Sequence, residues 1–320
     1  MGIQISKVSP GQARVAVLSA LFVACWSSGF IGAKLGAADS PITTVLMWRF
    51  IPLAAVLVPV AYRFHRARGI PWPDRPTLVR HSAIGVLSQT GYLTTVYWAI
   101  ARGVNTGTTA LIDGLQPLAA AALVGPLLGV AVTGRQWAGL GLGVGGVVLV
   151  TASDAAHASG VPWWAYLIPL IGMLSLIAAT LVERRGPHPV PPLTSLTIQC
   201  CTSAAIFTAA ALLTGTATPP ATGTFWLALA WLILLSTLGG YGLYWYLVAK
   251  LGVTQVNALM FLMAPVTAVW GALLFGESFT VITAAGLAIG IAAVITVNYT
   301  GSAARSAATG VGAAEVVTCR

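Results

Sequence analysis

Ten runs of about 20 apolar residues follow one another along the chain, near 15–35, 42–62, 82–101, 106–129, 136–152, 163–182, 193–214, 224–249, 255–275 and 281–299. A helix of that length crosses roughly 30 Å of bilayer hydrocarbon. None of the runs alternates apolar with polar positions, and all exceed the roughly 10 residues of a membrane barrel strand. The pattern predicts an all-α integral membrane protein with ten transmembrane helices. The fifth run, Gln136 to Ala152, is the shortest and is rich in glycine. Beyond the last run, residues 300–320 are mostly Ala, Gly, Ser, Thr and Val, which predicts a disordered tail.

The pattern also repeats. Residues 87–117 match residues 235–265 without a gap, at a constant offset of 148. Leu87, Ser88, Gly91, Ala101, Thr106, Ala110, Leu111 and Pro117 recur as Leu235, Ser236, Gly239, Ala249, Thr254, Ala258, Leu259 and Pro265, eight identities in 31 positions. Tyr97-Trp98 stands opposite Trp245-Tyr246, and Arg102 opposite Lys250. The chain therefore divides into two similar halves, 1–152 and 153–299, with a tail at 300–320. Each half holds five spans, an odd number, so the second half enters the membrane from the opposite side. Two inverted five-helix repeats are a common build for membrane transporters.

Charge sets the orientation. With ten spans both termini share one side. That side collects 13 of the 16 Lys and Arg: Lys7, Arg14, the loop from Arg63 to Arg80, Arg135, Arg184, Arg185, Lys250, Arg305 and Arg320. Lys34 and Arg102 fall on the other side, and Arg49 lies within a span. Basic loops stay in the cytoplasm, so both termini are expected there, in a multi-pass protein of the plasma (inner) membrane. Lys7 and Arg14 before the first run imitate a signal peptide, but Lys34 at its far end and nine further spans argue for a retained helix.

Composition narrows the functions. Hydrophobic residues make up 57% of the chain and charged ones 7%, against roughly a quarter charged in a soluble domain. The net charge of +9 then reports topology and contact with anionic lipid rather than a nucleic-acid-binding face. Gly141-Leu-Gly143-Val-Gly-Gly146 matches a dinucleotide fingerprint, yet it lies inside an apolar span with no strand before it. Close helix packing through small residues accounts better for it, and for Gly286 and Gly290. No Walker-type phosphate loop is present, and His65, His81, His157 and His188 have no metal-ligand spacing. Neither a cofactor nor a metal is expected, and disulfides are not expected of Cys25, Cys200, Cys201 and Cys319.

Charges inside spans are the sharpest clues, because each costs several kcal/mol in hydrocarbon unless paired or wetted. Asp113 stands mid-way along span 4, one turn before Pro117, and its repeat counterpart is Phe261. It is either a proton carrier or cation-binding group, or a structural partner for Arg49 in span 2. Arg49 in turn either contacts substrate or snorkels toward its span end. Lys34, closing span 1, has Asp39 as a local partner, and Glu277 is expected to order the turn into span 10. Pro117 and Pro265 are matched helix breaks, the best pointer to a midplane site. Gln116, Thr109 and Asn257 lie near them. Among the aromatic and amide groups, Trp26 and Gln89 lie deepest in their helices, and Trp245 is a further cavity candidate. Other Trp and Tyr residues near span ends suit interfacial belts.

The stretch Trp26-Ser-Ser-Gly-Phe-Ile-Gly-Ala-Lys34-Leu, the triplet Trp48-Arg49-Phe50, and Pro265, Gly276, Glu277 and Gly286 resemble EamA-type members of the drug/metabolite transporter superfamily. The resemblance covers roughly residues 15–299. It implies a ten-helix bundle of two inverted halves around a central cavity, and export of small metabolites or drugs. Two departures stand out. Val130 occupies the first-half position of Glu277, after Gly129 aligned with Gly276, and Asp113 replaces a usually uncharged residue.

The sequence thus predicts a secondary transporter working by alternating access, exporting small metabolites (amino acids or related compounds) or drugs, with protons as the candidate coupling ion. Trp26, Arg49, Gln89, Asp113, Gln116, Trp245 and Asn257 form the expected cavity, in a monomer or homodimer. A membrane scaffold and an intramembrane enzyme are the alternatives. No nucleophile–base constellation is visible for an enzyme, and a scaffold does not call for Asp113 or paired prolines.

Overall fold

In hydrocarbon a backbone must satisfy its own hydrogen bonds, so apolar runs of this length become helices. The computed structural model describes residues 10–127, 133–158, 160–185 and 190–293, and all regular elements within them are helical. Gly129, Val130 and the tail at 300–320 lie outside the described residues. The helices are α1 (Pro10–Asp39), α2 (Ile42–Arg68), α3 (Arg75–Gly85), α4 (Tyr92–Ala101), α5 (Thr106–Gly114), α6 (Gln116–Leu127), α7 (Gly134–His157), α8 (Ile168–Arg184), α9 (Pro192–Leu213), α10 (Gly223–Trp231), α11 (Gly240–Leu251), α12 (Val253–Met260) and α13 (Met263–Phe275). A last helix, α14, covers Val281–Ala293.

Among the described residues six helical segments are long and apolar enough to cross a membrane: Ala13–Asp39, Ile42–Arg68, Gly134–His157, Trp163–Arg184, Pro192–Leu213 and Gly223–Leu251. Large apolar side chains such as Leu213, Leu273 and Val281 point outward, as lipid-facing positions do. The fifth run is longer than its apolar stretch: α7 starts at a capping box, Thr133 with Gln136, and ends at His157. Helix ends are marked in the sequence elsewhere too. Asp74 accepts from the Thr77 N–H at 3.1 Å to start α3. Gly69 and Gly276 close α2 and α13 with φ of +61° and +64°, a left-handed turn that glycine takes without strain.

Two irregularities recur in both halves. A π turn at Val86–Gly91 joins α3 to α4, and another at Leu232–Gly239 joins α10 to α11. Both end on glycines related by the offset of 148, Gly91 and Gly239. The other is a break. Span 4 stops at Leu115 between α5 and α6, and span 9 stops at Phe261–Leu262 between α12 and α13. A proline offers no N–H to the carbonyl four residues back, which here belongs to Asp113 or Phe261. The prolines stand just after these breaks. Pro117 is the second residue of α6 and Pro265 the third of α13, positions whose N–H would lack an intrahelical partner anyway.

The halves grip each other symmetrically. α2 packs along α9, and α5 along α13; α1 packs on the α10–α11 segment, as α4 packs on α8. Exchanging the halves returns the first two of these span pairs to themselves and turns the third into the fourth. Equivalent helices also run antiparallel. Thr44, at the start of α2, donates its hydroxyl to the Thr216 carbonyl just past α9 at 2.6 Å, while His65 near the end of α2 meets Thr194 at the start of α9 at 2.7 Å. The first residue of α5, Thr106, likewise meets Glu277 beyond the end of α13.

Small residues permit these approaches. Between helices in lipid there is little hydrophobic drive, so dispersion at short range does most of the holding. A Cβ on Gly107 would lie 2.6 Å from the Ala268 Cβ, so α5 and α13 touch nearly backbone to backbone. Gly146 faces the Gly286 carbonyl and the Gly290 nitrogen of α14. Of the glycines that imitate a dinucleotide motif, Gly143 and Gly146 form a helix-packing seam, and Gly141 meets nothing.

Candidate functional site

Between spans 1, 2, 3 and 8 lies a small, half-open cavity. Its walls come from both halves: Trp26 and Phe30 from α1, Arg49 from α2, Tyr92 and Tyr97 from α4, and Ser236 and Tyr241 from the π turn and α11. Trp26 packs against Tyr241 with ring centroids 5.3 Å apart, and also against Phe22 and Tyr244. This makes a broad aromatic surface on one side of the space.

Arg49 supplies the charge. It is the eighth residue of α2 and only 6% exposed. One terminal nitrogen donates to the Tyr97 hydroxyl at 2.8 Å and the other to Thr237 Oγ1 at 3.1 Å. The Thr237 hydroxyl passes its own proton to the Leu232 carbonyl, inside the π turn, at 2.9 Å. The Nε–H is buried without an acceptor.

Asp113 is held separately. The Tyr92 hydroxyl, on the cavity wall, donates to its Oδ2 at 2.8 Å, and its Oδ1 is buried without a partner. The pairing of Asp113 with Arg49, one of the alternatives read from the sequence, is not formed: each bonds a different tyrosine of α4.

A second correction concerns the far end of the bundle. Lys34 bonds to Glu277 at 2.5 Å, not to Asp39. Glu277 caps the start of α5 in the other half rather than the turn into span 10, accepting the Thr106 N–H at 3.1 and 3.0 Å and its hydroxyl at 2.8 Å. Asp154, which the sequence reading passed over, completes this cluster. Its Oδ2 accepts from the Asn105 N–H at 3.0 Å and the Thr108 hydroxyl at 2.8 Å. The chain has only seven Asp and Glu, so an acid in a TASD stretch at a span end was itself the missed signal. Two carboxylates at one helix N-terminus match the positive end of its dipole.

The remaining candidates disperse. Gln89 is buried but turned to span 7, donating to Gln199 at 3.3 Å and accepting weakly from Cys200. It is the repeat counterpart of Thr237, so each π turn presents one polar side chain to span 7 or span 2 of the opposite half. Gln116 is half-buried at the start of α6. Pro265 borders a separate apolar crevice with Leu111, Gly114 and Phe261. The side chains of Pro117, Trp245 and Asn257 lie outside the described residues. Tyr92, Tyr97 and Tyr241, aromatic candidates of the repeated spans 3 and 8, line the cavity. Among the described residues no three His, Cys, Asp or Glu side chains gather as a metal site would need.

The comparisons with known proteins point one way. An uncharacterized inner membrane transporter of Escherichia coli K12, YedA, is 26% identical over 284 residues, spanning 88% of this chain and 89% of that protein. A probable terminal-alkyne amino-acid exporter of Streptantibioticus cattleyicolor is 24% identical over 289 residues, 87% and 91% of the two chains. A crystal structure 20% identical in sequence superposes with a TM-score of 0.60 over 89% of this chain and 96% of its own, which speaks for the fold. The profile of the EamA-like transporter family matches twice, at residues 14–152 and 163–299. With nearly the whole sequence covered by that double match, the chain belongs to the EamA-like transporter family.

Proposed function

We propose that the protein is a secondary transporter of the inner membrane that carries small metabolites outward by alternating access. In this reading ten spans form two inverted five-helix halves, 1–152 and 153–299, with both termini cytoplasmic. The observation that carries it is the cavity itself. It is walled by both halves, and it holds a buried cation and borders a half-buried acid. Rocking one half against the other would expose that space to each side in turn.

Amino acids are the substrate class to test first. The relative named as a terminal-alkyne amino-acid exporter favours it, and an aromatic wall beside a guanidinium suits a molecule with an apolar body and a charged head. Asp113 is the candidate coupling group, since an acid with one free oxygen can exchange a proton with the cavity through Tyr92. Purified protein in proteoliposomes loaded with radiolabelled amino acids tests the reading. Efflux accelerated over protein-free vesicles, and driven by an imposed pH gradient, is the expected result. No amino acid moving faster than in empty vesicles would reject it.

A further inference from the structure

Arg49 is an unusual group to find where it is. A guanidinium has five N–H donors and cannot be neutralised by losing a proton. Burying it in the membrane interior is tolerable only if its charge is compensated. Yet its two bonded partners, Tyr97 and Thr237, are neutral hydroxyls, and its Nε–H has none. The ion pair of Lys34 with Glu277 does not include it. Asp113, the nearest candidate by depth, is engaged by Tyr92 instead.

The scaffold around Arg49 is rigid. Tyr97 is 1% exposed, and Thr237 is fixed by its own bond to the Leu232 carbonyl in the π turn. Phe50 packs its ring 5.6 Å from the guanidinium carbon. A side chain held this firmly, with donor capacity left over and a cavity in front of it, is preorganised for an incoming acceptor. Of the common acceptors a carboxylate fits best, because its two oxygens match the guanidinium fork and its charge supplies what the site lacks.

We infer that Arg49 is the anchor for a ligand carboxylate, and that the cavity binds organic acids or amino acids whose apolar body lies against Trp26, Phe30 and Tyr241. The assignment rests on the transport reading only for its purpose; binding can be measured without flux.

The test uses the full-length protein in detergent with four probes: 3-phenylpropionate, L-phenylalanine, L-phenylalaninamide and phenethylamine. Calorimetric titration and thermal shift are read for each. Both carboxylates are expected to bind, and the amide and amine to bind at least about tenfold more weakly, the loss expected for a charge-assisted hydrogen-bonded pair. In Arg49→Gln the preference for carboxylates disappears, whereas Arg49→Lys keeps part of it. Equal binding of acid and amide by the unaltered protein, unchanged acid binding in Arg49→Gln, or no binding of either carboxylate would each overturn the assignment. The acid–amide contrast decides even if Arg49→Gln does not fold. Carboxylate binding without flux in vesicles would leave Arg49 in this role and remove the transport reading. Flux of amines indifferent to carboxylates would do the reverse.

Discussion

Lys34 and Glu277 are 243 residues apart in the sequence and 2.5 Å apart in the fold. Glu277 is almost fully buried, at 5% exposure, and ties the end of α1 to the start of α5 and the loop beyond α13. The same carboxylate fills the niche of a Cβ on Gly271, so this junction admits nothing larger. It closes one end of the bundle, and both halves contribute to it.

Removing that carboxylate leaves a lysine and a helix N-terminus unpartnered together. Glu277→Ala is expected to destabilise the purified protein by about 2–4 kcal/mol. Glu277→Gln, which can still accept from Thr106, is expected to cost less. Pairing Lys34→Met with Glu277→Gln should recover part of the loss, because no uncompensated charge remains. Thermal unfolding of the single and double variants gives the coupling, and additive losses would mean that the ion pair contributes nothing.

Asp113 separates coupling from structure. Asp113→Asn keeps an acceptor for the Tyr92 hydroxyl, so the variant is expected to insert and fold. Its transport should lose its dependence on pH, since no proton is then exchanged at that position. Tyr92→Phe should shift the pH profile without abolishing it. Flux measured across a pH series in vesicles checks both, and an unchanged profile in Asp113→Asn would remove the coupling role.

The α5–α13 crossing offers a purely steric test. Gly107→Leu must push Ala268 away and part spans 4 and 9. A loss of about 1–3 kcal/mol is expected, as for overpacked cores, whereas leucine at Gly141, which has open space beside it, should be nearly neutral. Comparable melting points for the two variants would contradict the packing described.

Topology can be read by labelling. Arg66 and Arg68 are exposed at the end of α2, and the charge bias places that loop in the cytoplasm. A cysteine introduced at position 66, with Cys25, Cys200, Cys201 and Cys319 replaced, is expected to resist membrane-impermeant maleimide in intact cells and to react after lysis. Labelling from outside would overturn the orientation.

Much of this architecture was legible because lipid imposes simple rules. Apolar runs of fixed length, and a repeat at one offset, led directly to the helices and to their two-fold plan. The prolines marked breaks in spans 4 and 9, although the chain stops a few residues earlier and uses them to restart. The side-chain partners were not legible. Periodicity places Asp113 and Arg49 at similar depth, but which tyrosine each meets depends on helix rotation, and the π turns alter that rotation. Glu277 illustrates the same limit: its position at a span end suggested a local cap, whereas its partners come from helices 171 and 243 residues away.

A π turn is the trace of one additional residue accommodated within a helix. The two in this chain end at Gly91 and Gly239, inside the stretch where the halves match without a gap. The gap-free match begins inside the turns, at Leu87 and Leu235, so the glycine that ends each bulge keeps the same place in its half. The Thr237 hydroxyl that steadies Arg49 and the Gln89 amide that meets Gln199 both stand two residues before that glycine, so one backbone device aims a different polar group in each half.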